Sequence, residues 1–154
     1  RTGNNIFLED YMTTVRDILK IKGNRVWTIE PQQTVFDALS LMAEKGIGAL
    51  VVLEEQRVVG VLSERDYARK VILKGKASKE TSVRDIMTSR VCYVSQDRTV
   101  DECMALMTDK SIRHLPVIED DELKGLVSIG DVVKSMISER EFIIERLEAY
   151  ITGS

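Results

Sequence analysis

Two short stretches carry the residue types that can do chemistry. Gly60-Val61-Leu62-Ser63-Glu64-Arg65-Asp66 recurs as Gly125-Leu126-Val127-Ser128-Ile129-Gly130-Asp131. Each reads as the end of a buried strand running directly into a helix start, with a serine N-cap and an aspartate three residues on. A helix start offers backbone N–H groups and a positive dipole end, which suit a phosphate. The Ser63 or Ser128 hydroxyl adds a further group there, and the Asp66 or Asp131 carboxylate can accept bonds from both hydroxyls of a ribose. The same spacing is also simply a cap, and it stands at Thr14/Asp17, Thr34/Asp37 and Ser82/Asp85 with no ligand implied. What separates the two junctions is the glycine-ended hairpin before them and their recurrence.

The recurrence extends to the elements that must position these residues. Thr14 caps a short helix, a basic loop covers residues 20–25, and residues 26–29 read as a strand ended by Pro31. Thr34 caps a second helix with Val35, Ala38, Leu39, Leu41 and Met42 on one face, ended by Gly46. Residues 49–53 are wholly apolar, as in a covered strand, and after a tight charged turn residues 58–62 return. Ser63 then caps a helix carrying Tyr67, Ala68, Val71 and Ile72. From Ser82 the order begins again, and from Val91 the halves align without a gap at a spacing of roughly 65 residues. Ile47, Leu50 and Val52 match Ile112, Leu115 and Val117. The fold expected is α+β with α/β-type layers: two pseudo-symmetric β-α-β-β-α repeats packed sheet to sheet. The boundaries read as an N-terminal extension over 1–13, repeats over 14–75 and 82–138, and a separate C-terminal helix over 139–152. That helix carries Phe142, Ile143, Leu147 and Tyr150 on one stripe, which suits packing on its own chain or contact with a second copy. Met12 reads as a natural start, with residues 1–11 a leader or an added remnant.

Composition narrows the function. The chain has 154 residues, 44% hydrophobic and 31% charged, ordinary for one globular domain or two small ones sharing a core. A net charge of -3 gives no reason for the whole molecule to seek nucleic acid or an acidic membrane. Apolar runs are short and broken by charge, so neither a transmembrane helix nor a signal peptide is expected. Cys92 and Cys103 form no C-x-x-C pattern and suggest a reducing cytoplasm. Cys103 falls on the apolar face opposite Ala38 and reads as core, as do Met104 and Met107. Cys92 aligns with Trp27 in a strand; Trp27 itself sits on an alternating segment and suits an outer face. His114 is the one histidine, so a histidine-rich metal site is excluded. No nucleophile, base and orienting group form a recognisable constellation, and an enzyme is the least favoured class.

The β-α-β-β-α order, the doubled G-x-x-S-x-x-D junction and Arg113-His114-Leu115-Pro116-Val117 together resemble a tandem pair of cystathionine-β-synthase (CBS) domains, a Bateman module. The resemblance covers residues 14–137, and Met42-Ala43-Glu44-Lys45-Gly46-Ile47-Gly48-Ala49-Leu50 with Ser63-Glu64-Arg65-Asp66-Tyr67 is similar to small stand-alone CBS-pair proteins. The first repeat departs from the pattern at Val51, where the second has Pro116.

The resemblance implies adenine-nucleotide binding in two clefts between the repeats. One base slot would draw on residues 26–29, including Thr28 and Ile29, with Gly48, Ala49 and Leu50. The other would draw on residues 91–94, including Tyr93, with Arg113, His114, Leu115 and Pro116. Gly48 and Ala49 are small enough for a ring to approach the backbone. Arg65 stands beside Asp66 as a phosphate ligand or a solvated helix residue, and Gly130 replaces it in the second junction, so the two sites should differ, the second being more open near the sugar and phosphate; Lys20 or Lys22 would join Arg65 and Arg113 in offsetting the aspartate charge beside an anionic ligand. Arg113 and His114 match positions from which family members contact phosphates. The ligand would be AMP, ADP, ATP, NAD(H) or S-adenosylmethionine, with no catalytic cofactor. A homodimer and a regulated enzyme are the implied partners, with no nucleic acid and no membrane. The favoured reading is a cytoplasmic nucleotide-sensing module. The alternative is a scaffold or interaction module with no physiological nucleotide.

Overall fold

The computed structural model describes residues 12–153; the reading of residues 1–11 as a leader lies outside them. The chain forms α1 (Val15–Lys22), β1 (Thr28–Ile29), α2 (Val35–Lys45), β2 (Ala49–Glu54), β3 (Arg57–Ser63) and α3 (Glu64–Tyr67). It then repeats the order as α4 (Val83–Ile86), α5 (Val100–Lys110), β4 (His114–Glu119), β5 (Glu122–Ser128) and α6 (Ile129–Thr152). A π-helical turn, Ala68–Ile72, continues α3, and a 3-10 turn, Ser78–Glu80, precedes α4. The mixed helix and strand content, with two small sheets, is the class expected.

Capping chemistry sets the helix starts. Thr14, Thr34, Ser63, Thr99 and Ser128 each close a full capping box with the acidic residue three positions on. Ser82 has the spacing but makes no side-chain cap bond. The two hairpins are near copies: Val51 pairs with Val61 and Val52 with Gly60, as Pro116 pairs with Leu126 and Val117 with Gly125. Each turns through two residues at positive φ, Glu55 and Gln56 or Asp120 and Asp121, in the left-handed geometry of tight hairpin turns.

Four expectations need correction. The strand over residues 26–29 shortens to Thr28–Ile29, which pairs in parallel with Val51 and Val52 of β2, the Val51 N–H reaching the Trp27 carbonyl at 3.4 Å. In the second repeat the donor at that register is Pro116, which has no N–H. Only an isolated bridge, Val94 with Val117, remains of the strand over residues 91–94. The basic loop starts later than expected: α1 continues through Lys22 and is closed by the Gly23 N–H on the Leu19 carbonyl. Finally, residues 139–151 are not a separate helix. No glycine or proline interrupts the chain between Asp131 and Thr152, so one 24-residue α6 runs from the Ser128 cap to Gly153.

The two cores are built by exchange. Val15, Ile18 and Leu19 of α1 pack with Val100, Cys103, Met107, Leu115 and Val127 of the second repeat. Val83 and Ile86 of α4 pack with Val35, Ala38, Leu50 and Leu62 of the first. Backbone bonds fix the exchange symmetrically: Val15 N–H to the Arg98 carbonyl and Val100 N–H to Thr13, against Val83 N–H to Gln33 and Val35 N–H to Thr81, all at 2.8–2.9 Å. The junction glycines belong to this exchange. A Cβ on Gly125 would stand 2.6 Å from Leu19 Cδ2, and one on Gly60 would stand 2.6 Å from Met87 Sδ.

The helix ends are tied to the sheet edges differently. After α4, Thr88 exchanges backbone bonds with Val61 at the edge of β3. At the end of α1, Lys22 does the equivalent work with its side chain, giving Nζ bonds to the Leu126 carbonyl at 2.7 Å and the Asp131 carboxylate at 2.5 Å. Burial by itself raises the Asp131 pKa, but the Lys22 ammonium and the Ser128 N–H outweigh it and hold the carboxyl below the ordinary aspartate value.

Gly125→Ala is expected to cost about 1–3 kcal/mol by overpacking against Leu19. Combined with Leu19→Ala, whose own cost is about 2–5 kcal/mol, the total should fall short of the sum because the clash is relieved. Strict additivity in denaturant melts would contradict the contact between α1 and β5. Asp131 gives a pH test. A carboxylate depressed on folding adds stability above the unfolded aspartate value, about 3.9, and loses it as pH falls through the folded value. Asp131→Asn should therefore melt below wild type at neutral pH, with the gap closing as the pH is brought below about 4.

Candidate functional site

The first junction opens onto a cleft of about 550 Å³ between the repeats. One wall is Gly48, Val61 and residues 63–66 with Arg69 and Lys70; the other is Thr88, residues 90–92 and residues 111–114. Exchange of α1 and α4 brings these walls together, because α4 delivers Thr88 and Arg90 beside β3. One backbone bond recurs at the two junctions: Glu64 N–H to the Gly48 carbonyl at 3.0 Å, and Ile129 N–H to the Arg113 carbonyl at 2.9 Å.

Asp66 is used on both oxygens. One accepts the Ser63 N–H and hydroxyl at 3.0 and 3.1 Å, closing the helix cap. The other faces the Thr88 hydroxyl at 3.3 Å and Lys70 Nζ at 3.2 Å. Arg65 reaches across to the Ser111 carbonyl at 3.3 Å, on the residue that ends α5 in the left-handed conformation. The α3 start offers fewer backbone donors than its sequence suggests, since the Glu64 and Asp66 N–H groups are already engaged and α3 is one turn long. Side-chain charge takes over: Arg65, Arg69, Lys70, Arg90 and Arg113 line the cleft against the carboxylates of Glu64 and Asp66. Such an excess of cations in a confined space favours a polyanion. His114 lines the cleft beside Gly48, its imidazole 3.8 Å from where a Gly48 Cβ would stand. Burial, with Lys22 and Arg113 nearby and Asp131 in partial opposition, holds its pKa below the ordinary histidine value, so it is neutral at pH 7.

Of the residues singled out by sequence, the cleft gathers Gly48, Ser63, Arg65, Asp66, Arg113 and His114. Thr28 and Ile29 instead border a separate hollow with Gln33, Asp37, Ser40, Leu41 and Glu44. The side chains of Ala49 and Leu115 are buried in the cores, Pro116 is buried in β4, and Tyr93 is 57% exposed off the cleft wall. Ser128, Gly130 and Asp131 form the second junction, where Lys22 is already paired with Asp131. Sequence reading missed Arg69, Lys70, Thr88 and Arg90. Lys70 carried a signal, since it stands four residues after Asp66 on one helical turn. Thr88 and Arg90 carried none without knowledge of the exchanged helices. Cys103 is fully buried, and burial raises its thiol to about 11; Cys92 is a half-buried free thiol on the cleft wall. Among the described residues, no three His, Cys, Asp or Glu side chains gather as a metal site, and no helix is long and apolar enough to cross a membrane.

Comparison with known proteins places this architecture. The family model for the CBS domain matches residues 8–72 and 83–138. A mitochondrial CBS domain-containing protein of Arabidopsis thaliana, CBSX3, is 43% identical over 151 residues, covering 92% of this chain and 73% of its own. The CBS domain-containing protein YhcV of Bacillus subtilis is 29% identical, covering 82% of this chain and 88% of its own. A structure described as a signal-transduction protein with CBS domains from Burkholderia ambifaria is 51% identical at a TM-score of 0.79, covering 82% of this chain and 95% of that one. CBS pairs of this kind are typically regulatory modules, and none of these three descriptions names a reaction. With both repeats matched in sequence and superposed in structure, the chain belongs to the CBS-domain family and carries the domain as a tandem pair.

Proposed function

We propose that the chain is a regulatory module that binds an adenine nucleotide, AMP, ADP, ATP or NAD(H), in the cleft beside Ser63 and Asp66. The observation that carries this reading is the five-cation cleft built around a carboxylate where the two repeats meet. Asp66 presents an oxygen already surrounded by donors, a setting in which ribose hydroxyls replace the Thr88 hydroxyl and Lys70 at little cost. Arg65, Arg69, Arg90 and Arg113 then meet phosphates, and Gly48 with Val91 and Cys92 gives the flat apolar surface a base requires. The cleft lies between the repeats, so occupancy biases their relative arrangement by the difference in affinity for each state. The same reading includes a second copy of the chain meeting the half-exposed Leu147 and Tyr150 of α6, and an enzyme that responds to the module. Two free thiols suit a reducing compartment such as the cytoplasm.

Calorimetry with AMP, ADP, ATP and NAD, supported by ligand-dependent melting, tests the reading. Asp66→Ala is expected to lose about 1.5–3 kcal/mol of nucleotide affinity, the worth of a hydrogen bond to a charged group. Unchanged affinity with lowered unliganded stability would reduce Asp66 to a helix cap. Arg113→Ala should weaken AMP more than adenosine, and equal losses would remove Arg113 from phosphate recognition.

A further inference from the structure

The two junctions share one motif but differ in what satisfies the carboxylate. Asp66 has Thr88 and Lys70 on its outer oxygen and borders the open cleft. Asp131 lacks the counterpart of Lys70, since Ser135 stands in that position, and Gly130 stands where the first junction has Arg65. Its partner is Lys22, which arrives from the exchanged helix and gives Nζ to the Asp131 carboxylate at 2.5 Å and to the Leu126 carbonyl at 2.7 Å. In the first repeat the matching Val61 carbonyl is held by a backbone N–H, from Thr88. One ammonium therefore does the work that backbone, hydroxyl and lysine share on the other side.

That ammonium is also placed to leave. Lys22 is the last residue of α1, its side chain is 35% exposed, and Gly23 follows at φ 92°. A long side chain on such an end swings without disturbing the core residues Val15, Ile18 and Leu19.

We propose that Lys22 is an internal counter-ion that closes the second junction, so that this junction accepts a ligand only when the ligand brings an anion to which Lys22 can move. The proposal rests on the adenine-nucleotide reading and deepens it. A ribose claiming Asp131 displaces the ammonium from its carboxylate. With a phosphate on the same ligand, the ammonium re-pairs; with adenosine it is left without a carboxylate partner. The two sites of one chain thus differ in ligand class: the first takes nucleoside or nucleotide, and the second takes only the phosphorylated form.

Native mass spectrometry and calorimetry with adenosine and AMP test this on wild type and Lys22→Gln, which keeps a donor for Leu126. Wild type should take one adenosine but two AMP, the second AMP about tenfold weaker or more. Lys22→Gln should take two adenosine. In wild type, the Lys22 side-chain NMR resonance should move during the second AMP event and stay fixed during the first, a readout that needs no variant. Two adenosine on wild type, one on Lys22→Gln, or movement of Lys22 in the first event would overturn the proposal while leaving the nucleotide reading intact. Failure of adenosine, AMP, ADP, ATP and NAD alike to bind wild type would overturn both.

Discussion

Neither core of this molecule is complete without a helix from the other repeat. The hairpin of each repeat and its long helix leave an apolar face that a third element must cover, and the chain covers it crosswise: α1 seals the second core and α4 the first. The repeats are thus not two domains joined by a linker but one cooperative unit with two cores. The cleft is a by-product of the crossing. The segment leaving α4 has to run along the edge of β3, which is how Thr88 and Arg90 come to face Asp66.

Crossing also accounts for what the sequence made legible. Periodicity and caps gave the helices and both hairpins, because those are local and each cap is a complete bonding unit within four residues. The internal repeat gave the pseudo-symmetry. The assignment of α1 to the other core was not legible, since the apolar face of Val15, Ile18 and Leu19 is the same whichever hairpin it covers. The glycine of the junction is the instructive residue. Read as part of a ligand signature, it turned out to make room for Leu19 or Met87 of the exchanged helix. Half of that signature is therefore packing. The second-repeat strand failed at Pro116, a departure visible in the alignment whose consequence depends on a ladder bond that only the fold defines.

The site was legible in its carboxylates and serines and less so in its cations. Ser63 and Asp66 could be named because the junction is contiguous in sequence. Arg65 and Arg113 were named, the second only through the resemblance, whereas Arg90 comes from 24 residues away from Asp66 and meets it only across the cleft. Gly130 signalled that the two junctions differ but pointed the wrong way: the second junction, expected to be the more open, is the one where Lys22 closes on Asp131, while the cleft opens at the first.

The length of α6 has a mechanical meaning. At 24 residues it extends about 36 Å from a pivot at Ser128, the residue that caps it and marks the second junction. Thr13 N–H is bonded to Glu139 at 2.7 Å near its middle. Because the helix is unbroken, it behaves as a stiff rod on the scale of the domain. A tilt of about 5° at the pivot carries its far end through about 3 Å, from the same 1.5 Å rise per residue. A change too small to repack either core is thereby magnified, at the far end of the helix, into a displacement about the length of a hydrogen bond.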